Sequence, residues 1–282
     1  MNLISIVVVG SIHYDFFIDS EFIPKIGETV LGSSWYPKLG GKGANQSVSL
    51  SKLGIKVKLV SAVGKDSFSS YLINQLKKTD IDLNYIKHIN TNSGISVAIS
   101  NSKGDYSAMV VSGANLKISK NILLKNELWK DTKFLMLQNE VEEALNIEAA
   151  EQAKKRKIKV FMNAAPAKNI SQEMYSLVDI LLVNEIEASQ ITNIGTKDFE
   201  KMALLLSKKV NNVIITLGSK GVVICKKNNK PKKISSYKVN VKSAHGAGDF
   251  FAGIFLANYI KNSNFEESII TANKKTAEFI SK

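Results

Sequence analysis

Arginine, cysteine and long apolar runs are nearly missing from this sequence, and each absence excludes something. Arg156 is the only arginine among 38 basic residues. Nucleic-acid surfaces interleave arginines and aromatics with their lysines, so the +13 formal charge, concentrated in stretches such as Lys154 to Lys159 and Lys226 to Lys233, reads as solvated faces. Anionic small molecules are welcome there, and nucleic acid is not expected as a partner. The one cysteine, Cys225, permits no disulfide within the chain, and its apolar neighbours make it a packing thiol. The apolar stretch Ile4 to Val9 is too short to span a bilayer, has no basic head, and runs into Gly10 and Asp15. It reads as a core strand, with no membrane association and a cytoplasmic location expected. Repeats, low-complexity tracts and long linkers are missing too. The 282 residues, 44% apolar, are therefore expected to form one α/β domain over 1–282 with a small appendage.

What is present is a rhythm of short β-branched runs followed by helical patterns. Ile4 to Val9 has the composition of a strand buried on both faces of a parallel sheet, and runs at 56–64, 133–138, 159–163, 179–183 and 212–216 continue it. Such sheets bind ligands at the carboxyl ends of their strands. Four consecutive runs end on polar residues: Asn139-Glu140, Asn163, Asn184 to Glu187, and Thr216 before Gly218 to Gly221. A row of polar ends along one sheet edge points to a site. Taken singly, Glu140 and Glu187 read equally as helix-start acids, Asn184 as a helix cap, and Asp15 as a surface turn acid.

Phe16 to Ile18, Glu28 to Tyr36, Gly94 to Ser100 and Tyr106 to Val111 interrupt this rhythm. They are expected to form a small antiparallel layer drawn from about 16–20, 28–38 and 94–112, with 101–105 as a hairpin loop, standing over the site as a lid.

Two glycine-rich turns carry the chemistry. In Ser243 to Asp249, the residues Gly246, Ala247 and Gly248 describe a tight turn whose N–H groups face outward at a helix start, which is an anion seat. Asp249 stands where it could take a proton from a hydroxyl while those amides hold the charge of a transferring phosphoryl group. The same four residues also read as an ordinary glycine-rich helix entry. The second turn, Gly40 to Asn45, leads into a helix over 46–53 and lacks Walker A spacing. Its small residues let a polyhydroxyl ligand lie against the backbone, with Asn45 supplying both donor and acceptor.

Taken in order, GETV at Gly27 to Val30, GGKGANQ at Gly40 to Gln46, SGAN at Ser112 to Asn115, NAAPA at Asn163 to Ala167, NEIEA at Asn184 to Ala188, TLGSKG at Thr216 to Gly221 and GAGD at Gly246 to Asp249 make the sequence similar to the ribokinase family of carbohydrate kinases. The likeness runs over essentially all 282 residues. It implies a doubly wound, mostly parallel α/β sheet flanked by helices, with a small β lid. It also implies transfer of the ATP γ-phosphoryl group to the 5-hydroxyl of D-ribose, and a homodimer through the lid strands. By position it makes Asp249 the base and Gly246, Ala247 and Gly248 the anion hole. Asp15, His13, Gly41, Lys42, Asn45 and Glu140 match sugar contacts. Asn184, Thr216, Gly218 and Gly221 match nucleotide positions, Asn273 lies near the adenine, and Glu187 belongs with Mg²⁺, through water.

The departures from the family carry their own expectations. His13 stands where an asparagine is common, and Ser243-Ala244-His245 stands where the family has Asp-Thr-Thr. In such enzymes that acid helps hold an activating K⁺. Ser243 has no charge for the task, and the sequence stops at Lys282 where relatives continue, so K⁺ activation is expected to be weak or absent. A catalytically impaired sugar-binding paralogue, or a kinase for a different sugar or nucleoside, remain the alternative readings.

Overall fold

The β-branched run at the N-terminus forms strand β1 (Ser5–Val9), every residue of which is buried. Its alternate side chains feed two separate cores. Val7 and Val9 pack with Leu135, Leu137, Val160 and Leu181 on one face, whereas Ile6 and Val8 pack with Phe134, Met136, Phe161 and Leu182 on the other. A parallel sheet needs both faces covered, and the continuous apolar run supplies both.

The computed structural model describes residues 4–101, 106–195, 197–244 and 246–281. After β1 come β2 (His13–Ser20), β3 (Gly32–Gly40), α1 (Lys42–Lys52), β4 (Lys56–Gly64), α2 (Ser67–Leu76), β5 (Ile81–Asp82), β6 (Ile86–Ile89), β7 (Gly94–Asn101) and β8 (Tyr106–Val111). The middle of the chain contributes α3 (Asn126–Trp129), β9 (Thr132–Gln138), α4 (Glu143–Lys155), β10 (Lys159–Asn163), α5 (Gln172–Leu177), β11 (Ile180–Asn184), α6 (Glu185–Thr192) and α7 (Phe199–Ser207). It ends with β12 (Asn212–Thr216), β13 (Val222–Lys226), β14 (Lys232–Ile234), α8 (Ala247–Asn262) and α9 (Phe265–Ile280).

The large sheet has the order β14-β13-β12-β11-β10-β9-β1-β4-β5, with β6 also on β4. It is parallel from β12 through β5, and β13 and β14 are added antiparallel at one edge. The four strands with polar carboxyl ends, β9 to β12, are therefore neighbours, and β1 lies next to β9. Among the described residues no helix is long and apolar enough to cross a membrane.

The small sheet has the order β3-β2-β7-β8. The expected all-antiparallel layer is corrected at its centre, because β2 and β7 pair in parallel. Each follows a parallel strand of the large sheet, β1 before β2 and β6 before β7, and the chain from β3 through β6 forms the crossover between them. The expected strand start at Glu28 is also corrected to Gly32. Residues 25–28 close a turn in which Glu28 N donates to Lys25 O and Lys25 N donates to Glu28 Oε2, each at 3.0 Å. At its other end β2 starts at His13, not Phe16, and α1 starts at Lys42, not Gln46. Of the expected loop at 101–105, Asn101 ends β7, and 102–105, like His245 and Lys282, lie outside the described residues.

The register divides the small sheet into two unlike faces. Ile18 opposite Trp35, Phe16 opposite Pro37 and Val97 opposite Met109 make one face apolar, whereas the other is mixed, with Asp15 opposite Lys38 and beside Ser96 and, further along, Phe17 opposite Tyr36.

Candidate active site

Three backbone residues, Gly10 to Ile12, carry the chain from the large sheet into the small one, and the start of α1 is pressed onto them. The Ala44 N–H donates to Ser11 O at 2.9 Å. A Cβ at Gly43 would fall 2.6 Å from Ser11 N, and Gly41, at φ +87°, would place one 2.8 Å from Ser11 O. Gly41 and Gly43 are thus required by the approach of helix to hinge. That approach turns the Lys42 N–H toward Glu140 Oε2 at 2.8 Å, where Ser11 Oγ also donates. Glu140 lies ahead of α4, so it is not a helix-start acid.

His13 begins β2 and is 2% exposed, with Nδ1 4.0 Å from Glu140 Oε2. Burial lowers its pKa against the pull of Glu140, so the ring is neutral at pH 7. Its Nε2 has no hydrogen-bond partner among the described residues. Asp15, two residues on, accepts from Ser96 Oγ at 2.5 Å. Burial pushes its carboxyl up to about 6, and the neighbouring Glu140 and Asp249 add to the shift.

Asp249 stands in the first turn of α8, behind Gly246, which takes a left-handed φ of 74° as the helix cap. It is 7% exposed. Its Oδ1 accepts from Gln46 Nε2 at 2.9 Å, and its Oδ2 faces Asn45 Nδ2 at 3.4 Å. Burial raises its pKa, with the Lys42 charge as the chief opposing influence. A Cβ at Gly246 or Gly248 would meet nothing within 4 Å, so the turn faces open space. The Ala247 N–H closes the turn onto Ala244 O at 3.2 Å.

Next to this turn lies a cavity of about 440 Å³ whose lining includes Thr216, Gly218, Gly221, Gly248 and Asn273, with Val239, Val241, Phe251 and Ile280 as apolar walls. Asn273 Nδ2 donates to Ser235 O at 2.8 Å. Asn184 does not line this cavity. Its Oδ1 accepts from Glu187 N and its N–H donates to Glu187 Oε2, both at 2.8 Å, which is a capping box on α6. Glu187 is 7% exposed, and its pKa is raised by burial, with Lys42 opposing and Asp249 adding. Ser243 lies against the end of α9, its N–H 3.4 Å from Ile280 O.

The fold therefore gathers His13, Asp15, Lys42, Asn45, Glu140, Glu187 and Asp249 into one electrostatic neighbourhood, and brings Thr216, Gly218, Gly221 and Asn273 to an adjoining cavity. Five partners carry no role in the sequence reading: Ser11, Gln46, Ser96, Asn115 and Gln138. Gln46 and Asn115 sit inside motifs already singled out. Asn115, wholly buried, accepts from Ile12 N and donates to Ile12 O, both at 2.9 Å, and so holds the hinge by its backbone.

The family description that matches residues 3–282 is pfkB family carbohydrate kinase. The ribokinase of Haemophilus influenzae is 32% identical over 271 residues, which cover 94% of this chain and 88% of that one. The deoxyribokinase of Salmonella typhi is 31% identical over 271 residues, with the same two coverages of 94% and 88%. A solved structure of Arabidopsis thaliana ribokinase complexed with ribose and ATP has a TM-score of 0.88 at 29% identity, covering 99% of this chain and 93% of that one. Agreement this long in sequence, with a TM-score of 0.88 to a solved ribokinase, means that the chain belongs to the pfkB family of carbohydrate kinases, as a kinase of the ribokinase type.

Proposed function

We propose that this chain transfers the γ-phosphoryl group of ATP to the 5-hydroxyl of D-ribose. The observation that carries the reading is that Gly248 lines the 440 Å³ cavity while Asp249, its neighbour in the chain, turns its carboxylate toward Asn45, within reach of the charges of Lys42 and Glu140. A nucleotide in the cavity and a sugar over the hinge would meet at that carboxylate. Asp249 then acts as the base, and the turn at Gly246 to Gly248 receives the phosphoryl charge, though the Ala247 N–H expected to share in it is engaged by Ala244 O. Asp15, His13 and Glu140 contact the sugar, with Gly41, Lys42 and Asn45 beside them, and Thr216, Gly218, Gly221 and Asn273 serve the nucleotide. Asn184 reaches it only through the cap of α6.

Magnesium, when bound with ATP, neutralises the β- and γ-phosphate oxygens. Among the described residues no group of three or more His, Cys, Asp or Glu could hold a metal ion. Glu187 has one carboxylate oxygen engaged by the Asn184 N–H, which leaves the other for a metal-bound water. A single outer carboxylate suits an ion that keeps most of its waters.

The whole chain is read as one domain whose small sheet is a lid. Trp35, Met109 and Val111 lie exposed on its apolar face, and a second copy of the chain is the occupant that face calls for. A second acceptor, 2-deoxyribose, is favoured by the 31% identity to the deoxyribokinase of Salmonella typhi together with an imidazole, His13, at the start of β2 beside Glu140. Incubation with ATP, Mg²⁺ and a panel of ribose, 2-deoxyribose, other sugars and nucleosides, following ADP, tests the reading. Product with ribose is the expected result. Thermal stabilisation by ribose without ADP would remove the kinase assignment to ribose.

A further inference from the structure

Asp249 is reached by a chain of amides that extends beyond the site. Gln46, wholly buried on α1, donates through Nε2 to Asp249 Oδ1 at 2.9 Å. Its own Oε1 accepts from Nε2 of Gln138, wholly buried at the end of β9, at 2.7 Å. The backbone of Gln138 is anchored in turn by Asn146, whose Nδ2 donates to Gln138 O at 2.8 Å.

Chemistry dictates the direction of this chain. A carboxylate only accepts, so Gln46 must turn its NH₂ to Asp249 and its carbonyl to Gln138, which must then present its own NH₂. That arrangement leaves Gln138 Oε1 with no partner among the described residues, pressed where a Cβ at Gly10 would fall 2.0 Å away. A buried carbonyl without a donor is destabilising. The fold accepts that cost, and what it keeps is a donor aimed at Gln46 and, through it, at the carboxylate.

We propose that Gln46 and Gln138 are positioning residues whose amide relay holds Oδ1 of Asp249 and leaves Oδ2 as the oxygen that takes the acceptor's proton. The proposal rests on the reading of Asp249 as the base. In the step it serves, the acceptor O–H bond breaks and its proton passes to Oδ2. The acceptor oxygen forms a bond to the γ-phosphorus as the bond to the β,γ-bridging oxygen breaks, leaving ADP. Oδ1 accepts from Gln46 before and after, so the relay needs no rearrangement during transfer. The Asn45 contact to Oδ2, at 3.4 Å, is the looser of the two and leaves room for the hydroxyl. The same Gln46 bond is one of the influences that hold the Asp249 pKa down against burial.

Lys42 on α1, Glu140 beyond β9, Asp15 on β2 and Glu187 on α6 are the charges that bear on Asp249, and the test leaves all four in place. The variants are Gln46→Met and Gln138→Met, which keep the length of the side chain and remove its donor. Loss of a hydrogen bond to the ionised form raises the pKa of an acid, and the base must be ionised to act. Gln46→Met should lower kcat roughly tenfold and move the acid limb of the kcat profile up by about one pH unit, with both KM values within about twofold. Gln138→Met should move the limb in the same direction by less.

A purely structural role would lower the melting temperature and leave the limb where it was. An unmoved limb in folded Gln46→Met, or a loss confined to KM, overturns the proposal. If Gln46→Met does not fold, Gln138→Met decides, because it leaves the Asp249 contact itself in place, and an unmoved limb there overturns it equally. The base reading is checked apart with Asp249→Asn. An inactive Asp249→Asn beside an unmoved limb sinks the relay alone, whereas near wild-type turnover in Asp249→Asn sinks the base and the relay together.

Discussion

The carboxylate of Asp15 lies across the face of Gly40, so close that a Cβ built on the glycine would fall 1.8 Å from Oδ2. Asp15 is fixed from the other side by Ser96 Oγ, so it has nowhere to retreat without losing that bond. Gly40→Ala should therefore turn the carboxylate out of its place over the sugar region. The expected result is a rise of about tenfold in acceptor KM, the lower end of what one hydrogen bond to a charged group contributes, at about 1.5–3 kcal/mol. The KM for ATP should stay put, because neither residue lines the cavity proposed for the nucleotide. Initial rates across ribose and ATP concentrations check both halves.

Asp15 itself is expected to lower stability at neutral pH. Its carboxyl, ordinarily at 3.8, is pushed up to about 6 by burial and then by Glu140 and Asp249. Between those values the folded chain holds a proton that the unfolded chain has lost, so stability falls as pH rises through that window, and the whole penalty is present at pH 7. Asp15→Asn removes it. The variant should melt roughly 2–6 °C higher at pH 7, with the gain shrinking toward pH 4, and should bind acceptor less well. Melting curves at pH 4 and pH 7 measure the difference, and a lower midpoint at pH 7 would count against the penalty.

How far the sequence discloses such relationships depends on whether the cause is local. The strands of the large sheet announce themselves because burial on both faces demands unbroken apolar runs, and the polar ends of β9 to β12 become neighbours once those strands align. The parallel pairing of β2 with β7 is not legible, since it follows from a crossover between residues far apart in the chain. Residues 29–31 carry strand propensity but meet no partner, and the turn at 25–28 decides their path. Gln138 and Gln46 are opaque for another reason. A buried amide looks like a surface amide until its partners, 92 residues apart from each other, are brought together. Asn184 and Glu187 show the reverse case, because their spacing already spells a capping box and the structure forms one.

Replacement of Asp249 is the most direct probe of the proposed chemistry. In Asp249→Asn the amide oxygen can still accept from Gln46, which preserves the main contact to the fold, but the group cannot take a proton from an alcohol. Turnover should fall by at least about a hundredfold, the lower end of a general base's contribution. The ATP KM should change little, since the cavity proposed for the nucleotide lies beyond Gly248 and Asp249 does not line it. Coupled ADP release at saturating ribose reads the drop.

Potassium should make little difference to the rate. The resemblance to ribokinase-family enzymes places an acid where this chain has Ser243, and a neutral hydroxyl gives a monovalent cation far less to hold. Rates in potassium and in tetramethylammonium chloride at equal ionic strength should agree. Strong stimulation by potassium would mean that backbone carbonyls alone hold the ion.

His13 sets up the last test, because it is the residue at which this sugar region departs from the family's usual asparagine. The ring is 2% exposed and neutral, and it packs so tightly on Gly94 that a Cβ there would fall 2.4 Å from His13 Cδ2. A neutral imidazole offers one donor and one acceptor at its two ring nitrogens, and here Nε2 has no partner among the described residues while Nδ1 faces Glu140. An asparagine offers both functions on one smaller group and can engage two adjacent hydroxyls. Sites built to hydrogen-bond a hydroxyl discriminate strongly against substrates that lack it. His13→Asn is therefore expected to raise the ratio of kcat/KM for ribose over 2-deoxyribose by at least about tenfold. Competition between the two sugars in one reaction, with the phosphorylated products quantified, gives that ratio directly. A ratio unchanged from wild type would place the discrimination on Asp15 and Glu140 instead.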